Sequence, residues 1–510
     1  MPTESKPRKS RGCLFKSLVY VILPIFVLII AAAIWAGKTF VYWGPERRAE
    51  DYSGKLVQMS ASAQNADPED HRAPDAFEAI YKQYIELEKD ELGLEEAKRT
   101  SFTNSETITT DLWDETWTVE EIDVDYSADR RWDVTIFHAE GWQEAKATAY
   151  RLFDRFEAEG MAAMVDEALA LPGFVPRVTS SYELSREGLS GLIASASIER
   201  IRAQRAIEAG DVDTVIVCLG RLASIQRFLH GYPEFEGALR SVGLLEYVSS
   251  IARAVALNEA FTTEQLMRIN EALEPFEALP VTKVAEYSRI STIGAMEATL
   301  RKGMSPKRAS FSYHAALMDE VIDDLLKWLE TPRPERGELD AWYWSPPDNA
   351  IDEYNNHATY AAIPMLPSYC TFSDAAMTTL DGYRLLIAIE GHNRRHGGPP
   401  QSLETIDSDL LPAGLQDRYA PDGNFRYIRY DEPDQFGREY ALYSFAGDCQ
   451  DNGGFFHQID IRKEDVLGDF IFNRPPLNDL QAHTKYREEN AERLNKERLD
   501  RTGSAVSPKR

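Results

Sequence analysis

Hydrophobic positions along this chain follow three regimes. Leu18 to Gly37 are twenty consecutive uncharged, mostly apolar residues, bounded by Lys16 and Lys38. At about 1.5 Å per helical residue the run spans roughly 30 Å, the thickness of a bilayer's hydrocarbon core. From about Gly141 to Gly303 the apolar residues recur with a helical period. Val212, Val215, Ile216, Leu219, Leu222 and Ala223 make one stripe, and Leu245, Val248, Ala252 and Val255 another. A third stripe, Leu266, Ile269, Leu273 and Phe276, opens with Thr262 and Gln265 at capping-box spacing. Beyond Gly397 the pattern alternates at Phe425–Tyr430 and Glu439–Phe445, which predicts antiparallel strands, with a further strand at Asp469–Phe472.

Breaks in these patterns divide the chain. Residues 1–17 are a basic segment, 18–37 the transmembrane helix, and 38–72 a polar linker without a sustained period. Residues 73–330 are predicted as a mainly helical extracytoplasmic domain. It begins with a helix from about Pro74 that carries Phe77, Ile80, Tyr81, Tyr84 and Leu87 on one face. Short breaks at Ala209-Gly210-Asp211, Gly231-Tyr232-Pro233 and Leu279-Pro280 imply antiparallel hairpins packed side by side. Residues 99–136, rich in β-branched, aromatic and acidic side chains, suit an exposed hairpin or an extended insertion. Residues 331–372 are a proline- and aromatic-rich connector; wrapping a neighbouring domain would keep Trp342, Tyr343 and Trp344 from forming an exposed apolar patch. A helix from about Ser373 to His396, stopped by Gly397-Gly398, opens a module over 373–475. The tail, 476–510, is highly charged, and its i,i+4 pairs support a solvated helix.

Charge sets the topology. Lys6, Arg8, Lys9, Arg11 and Lys16 precede the apolar run against a single Glu4, which places the amino terminus in the cytoplasm and the bulk outside. Trp35, Tyr42 and Trp43 suit the outer headgroup layer. Because the run continues through Ile34 and Trp35, an uncleaved anchor is favoured over a signal peptide cut near Ala31-Ala32-Ala33. The chain carries a net charge of −27; its first sixteen residues contribute +4, so the remainder holds −31. So acidic a body excludes nucleic acid as a charge-driven partner. Cys218, Cys370 and Cys449 lie outside the membrane, too few for a disulfide framework, and no C-x-x-C pair offers a structural zinc site.

The carboxy-terminal module carries a resemblance. The order helix, H-G-G-P-P-Q-S-L, L-L-P, F-R-Y, Y-A-L-Y-S, G-D-C-Q-D-N-G-G over about 373–475 resembles the globular part of type II secretion pseudopilins. It is similar also to pilin-like modules of membrane-anchored bacterial proteins. The resemblance implies a bacterial inner-membrane protein and a calcium ion in the acidic loop, held by Asp448 and Asp451 with Asn452. Carboxylates and an amide on a glycine-bearing loop suit such a hard cation. Cys449 and Asn452 depart from the usual glycine and second aspartate, and Gly12–Ser17 lacks the glutamate that follows a prepilin glycine. A pilus subunit of the usual kind is therefore not expected.

Little else spells out a reaction. His392 and His396 stand four apart on one helix face, a spacing able to hold a metal, and Glu390 reads as a paired or solvated carboxylate. The sequence has no H-E-x-x-H, G-x-S-x-G or P-loop. The expected fold class is mainly α: an N-terminal transmembrane helix, an antiparallel helical-hairpin domain, then a small α+β pilin-like module with an antiparallel sheet. The expected role is non-enzymatic, a single-pass periplasmic interaction or scaffold protein with protein partners. A secretion-system accessory and a membrane-anchored envelope hydrolase are the alternatives.

Overall fold

The computed structural model describes residues 52–92, 142–290, 322–336 and 365–473, apart from 181, 182, 187, 435, 436, 448, 452 and 455–468. The membrane span at 18–37, the segment 99–136 and the charged tail therefore lie outside the described residues. Among those described, no helix is long and apolar enough to cross a membrane. The described residues are mainly helical, with a two-stranded hairpin and a small antiparallel sheet of three strands.

Helices α1 (Tyr52–Gln64), α2 (Arg72–Leu92), α3 (Trp142–Ala158) and α4 (Met161–Leu169) come first. They pack against the first two helices of a second group, α5 (Leu189–Ala209), α6 (Val212–Gly231), α7 (Phe235–Ala256) and α8 (Thr263–Ala272). Helix α5 lies at the centre, touching α2, α3, α6 and α7. Its small residues Gly191, Ala194, Ser195, Ala196 and Ser197 are all buried, so neighbouring helices approach it from every side. The predicted stripes face the core: Val215, Leu219, Leu222, Leu245, Val248, Ala252 and Val255 are fully buried. The breaks are real turns. Gly210 ends α5 with φ 69°, Asp211 caps α6 by accepting from the Thr214 N–H, and the Thr262/Gln265 capping box opens α8.

Two stretches depart from expectation. The linker predicted over 38–72 is helical from Tyr52, and Leu56, Val57, Ser60 and Ala61 are buried in the core. Its inner face is partly serine and alanine, so hydropathy does not reveal it. The Gln64 amide fixes α1 by bonding both backbone groups of Phe174: Oε1 accepts from N–H at 2.8 Å and Nε2 donates to O at 3.0 Å. The helical period expected throughout 141–303 is interrupted by a short antiparallel hairpin, β1 (Val178–Ser180) with β2 (Glu183–Leu184).

Helix α9 (Met365–His396) is 32 residues long and starts eight residues before the predicted Ser373. Pro367 does not prevent this, because a first-turn proline lacks only an N–H that has no helical partner. The connector thus gives its last residues to α9, and Leu366, Tyr369 and Cys370 are buried. Helix α9 lies along α7 and α8 and also meets the sheet. The sheet has the order β3 (Arg426–Arg429), β4 (Tyr440–Ser444), β5 (Phe470–Ile471), matching all three predicted strands. Phe472, at its end, fits against Gly382 of α9, where an added Cβ would overlap the ring. One contiguous apolar core runs from Leu56 to Phe472, so helices and sheet share it.

Candidate functional site

Two places in the carboxy-terminal part gather groups with chemistry: the rim of the sheet and the end of α9. Both depend on how α9 is seated. The Asn270 Nδ2 on α8 donates to the Arg384 carbonyl at 3.0 Å, and Thr263 Oγ1 donates to the Gly391 carbonyl at 3.1 Å. Arg394 donates to the carbonyls of Asn258 and Phe261 in the turn between α7 and α8. Side chains of α8 thus hold backbone carbonyls of α9, and backbone carbonyls of the helical layer hold Arg394.

At the rim of the sheet, the loop after β4 uses left-handed backbone at Ala446, Cys449, Gly453 and Gly454. Its shape is fixed by buried carboxylates. Asp417 is fully buried and accepts from Ser444 Oγ at 2.8 Å, the Tyr419 N–H at 3.0 Å and the Phe445 N–H at 3.4 Å. Burial outweighs these donors and pushes its carboxyl up to about 6. Asp469, also fully buried, accepts from the Gly454 N–H at 2.8 Å. Sequence reading misses both aspartates, since nothing in their spacing marks them.

Of the three predicted calcium ligands, Asp448 and Asn452 lie outside the described residues. Asp451 is exposed; its Oδ1 accepts from the Gly453 N–H at 2.9 Å and the Tyr443 hydroxyl at 3.2 Å. Its Oδ2 is 3.9 Å from Arg426 Nε. The carboxylate is reachable and of the right chemistry for calcium, but a guanidinium already stands beside it and reduces the negative charge of the loop.

At the end of α9, the His392 and His396 rings lie against each other, tilted by 40°, with centroids 4.4 Å apart. A loop brings Asp407 to them: its Oδ2 is 2.9 Å from His396 Nε2, and its Oδ1 is 3.8 Å from His392 Nδ1. Asp407 is positioned by buried neighbours, Ile406 and Leu410, and by the turn in which the Leu410 N–H donates to its carbonyl at 2.9 Å. Arg395 forks onto Asp409, with both nitrogen–oxygen distances 3.0 Å, and its Nη1 also donates to Asp407 Oδ2 at 2.8 Å. The Asp407 carboxyl is held below the usual carboxylate range by hydrogen bonds from His396 and Arg395. Burial and the neighbouring His396 push the His392 imidazole down, against the pull of Asp407. Spacing marks the two histidines; the third member comes from loop closure that spacing does not reveal.

Other groups singled out by the sequence are structurally engaged. Glu390 accepts from the Tyr440 hydroxyl on β4 and so ties α9 to the sheet rather than standing as a free base. Cys218, Cys370 and Cys449 form no disulfide among the described residues, and burial pushes the Cys370 thiol up to about 12. An open cleft of about 530 Å³ lies between α2 and α3, walled by Lys82, Glu86, Arg155 and Glu159. It brings no nucleophile and base together. Comparison with protein families, with curated proteins and with solved structures finds no match to this chain.

Proposed function

We propose that the protein is a single-pass, membrane-anchored interaction or scaffold protein of the bacterial envelope, with its amino terminus in the cytoplasm and its acidic body in the periplasm. The observation that carries this reading is the uninterrupted apolar run Leu18–Gly37 with its basic cytoplasmic flank. The region of 373–475 belongs to the same proposal as a pilin-like module: one long helix followed by an antiparallel sheet and an acidic loop, with calcium as the ion that loop would take. Further support comes from the helical hairpins, which offer broad faces, and from an open cleft walled by charges of both signs. Val217, Leu239 and Leu257 are exposed apolar side chains on or beside α6 and α7.

Two measurements test it. A periplasm-dependent reporter fused after residue 60 is expected to be active; activity only of a cytoplasm-dependent reporter would remove the topology. Photo-crosslinkers placed singly at Val217, Leu239 and Leu257 in the full-length anchored chain are expected to give a discrete protein adduct at one position or more. Absence of adducts at all three would remove the interaction role.

A further inference from the structure

We propose that His392, His396 and Asp407 form a binding site for one divalent transition-metal ion of the zinc type. One donor atom from each residue lies within 4.8 Å of the other two. Ligands about 2.0–2.1 Å from a tetrahedral ion are roughly 3.3 Å apart, so the set is near the required size. Closing it needs only side-chain rotation, which His396 can supply because nearly half its side chain is exposed. The backbone beneath does not have to move, since α9 is pinned at Gly391 and Arg394, and Asp407 between Ile406 and Leu410.

His392 gives the independent pointer. Its side chain is 12% exposed, and its Nδ1 is buried without any hydrogen-bond partner. A buried polar nitrogen left unpaired forfeits the hydrogen bond it would make in water. The nearest opposite charge, Asp407 Oδ1, is 3.8 Å away, too far for a hydrogen bond. An ion between the two would satisfy both atoms at once. Metal ligation uses neutral imidazole and ionised carboxylate.

The surroundings decide which ion. Two imidazoles with one carboxylate favour Zn²⁺, Co²⁺ or Ni²⁺, whereas Ca²⁺ prefers oxygen alone. Arg395 is a cation at the site, and it remains forked to Asp409 when it yields Asp407 Oδ2 to a metal. Asp407 and Asp409 together offset its charge. The carboxy-terminal end of α9 adds a favourable partial negative charge. Three protein ligands leave at least one coordination position for water or an external donor.

The test uses the full-length chain in detergent, without a histidine tag, stripped by chelator and dialysed against micromolar Zn²⁺. One zinc per chain is expected by elemental analysis. His396→Ala, which alters a side chain at the surface, should keep the wild-type circular dichroism and weaken binding at least tenfold. Co²⁺ titration should give a visible absorption band that His396→Ala and His392→Ala both lose. The proposal is overturned if the wild type retains no ion, or if His396→Ala binds zinc as the wild type does. A Ca²⁺ preference over Zn²⁺ would overturn it equally.

Discussion

Gly191 on α5 lies directly against the carbonyl oxygen of Phe77 on α2, and a Cβ at Gly191 would overlap that atom. The obstacle is backbone, which cannot swing aside as the end of a long side chain can. Gly191→Ala should force the two helices apart and lose about 2–3 kcal/mol of stability, read as a lower urea midpoint. Gly220→Ala on α6, where an added Cβ meets nothing within 4 Å, is the matched control and should be neutral or slightly stabilising.

Asp417 gives a pH dependence with a defined sign. Its folded-state carboxyl is raised to about 6, so the folded chain holds the proton more tightly than the unfolded chain does. The associated stability is fully present below about pH 4 and is lost as pH rises to about 6. Asp417→Asn has no such proton. The stability of the wild type relative to this variant should therefore fall by about 2 kcal/mol between pH 4 and pH 6.5. A flat difference across that range, measured by urea unfolding, would show that the Ser444 and backbone donors offset the burial.

Tyr440 is buried in β4, and its hydroxyl reaches Glu390 on α9. Tyr440→Phe removes that donor while keeping the ring stacked on Tyr427. About 2 kcal/mol should be lost, the usual worth of a hydrogen bond to a charged group. Thermal unfolding of Tyr440→Phe and of Glu390→Gln, with the double variant, would isolate the pair from the packing of the ring.

Calcium at millimolar concentration should raise the melting temperature of the wild type and leave Asp451→Ala unchanged, if the acidic loop takes the ion. Arg426→Ala should enlarge the effect, because it removes the guanidinium beside Asp451. No rise in either background would dismiss the loop as a calcium site.

Helices α6, α7 and α8 are legible in the sequence because each buries one face and leaves polar residues on the other. Helix α5 carries a weaker signal: it is enclosed on all sides, and even Glu199 and Arg200 are buried. Glu199 is paired with Arg221 at 2.9 Å, and Arg200 lies over the Tyr247 ring, so charges there do not mark a solvent face. Helix α1 escapes notice because serine and alanine form part of its inner face. The same contrast holds for the chemistry. His392 and His396 are visible as an i,i+4 pair, while Asp407, Asp417 and Asp469 reach their positions through tertiary folding alone.

The long helix α9 has a consequence for how this chain can be divided. It gives one part of its surface to α7 and α8 and another to the sheet, and Gly382 receives the Phe472 ring. A cut before Ser373 would remove Leu366, Tyr369 and Cys370 from the helix they begin and expose the surfaces they cover. Expressing residues 373–475 alone should yield an insoluble or protease-sensitive fragment. The carboxy-terminal region shares its core with the helical body, so exchanging it as a separate cassette should fail.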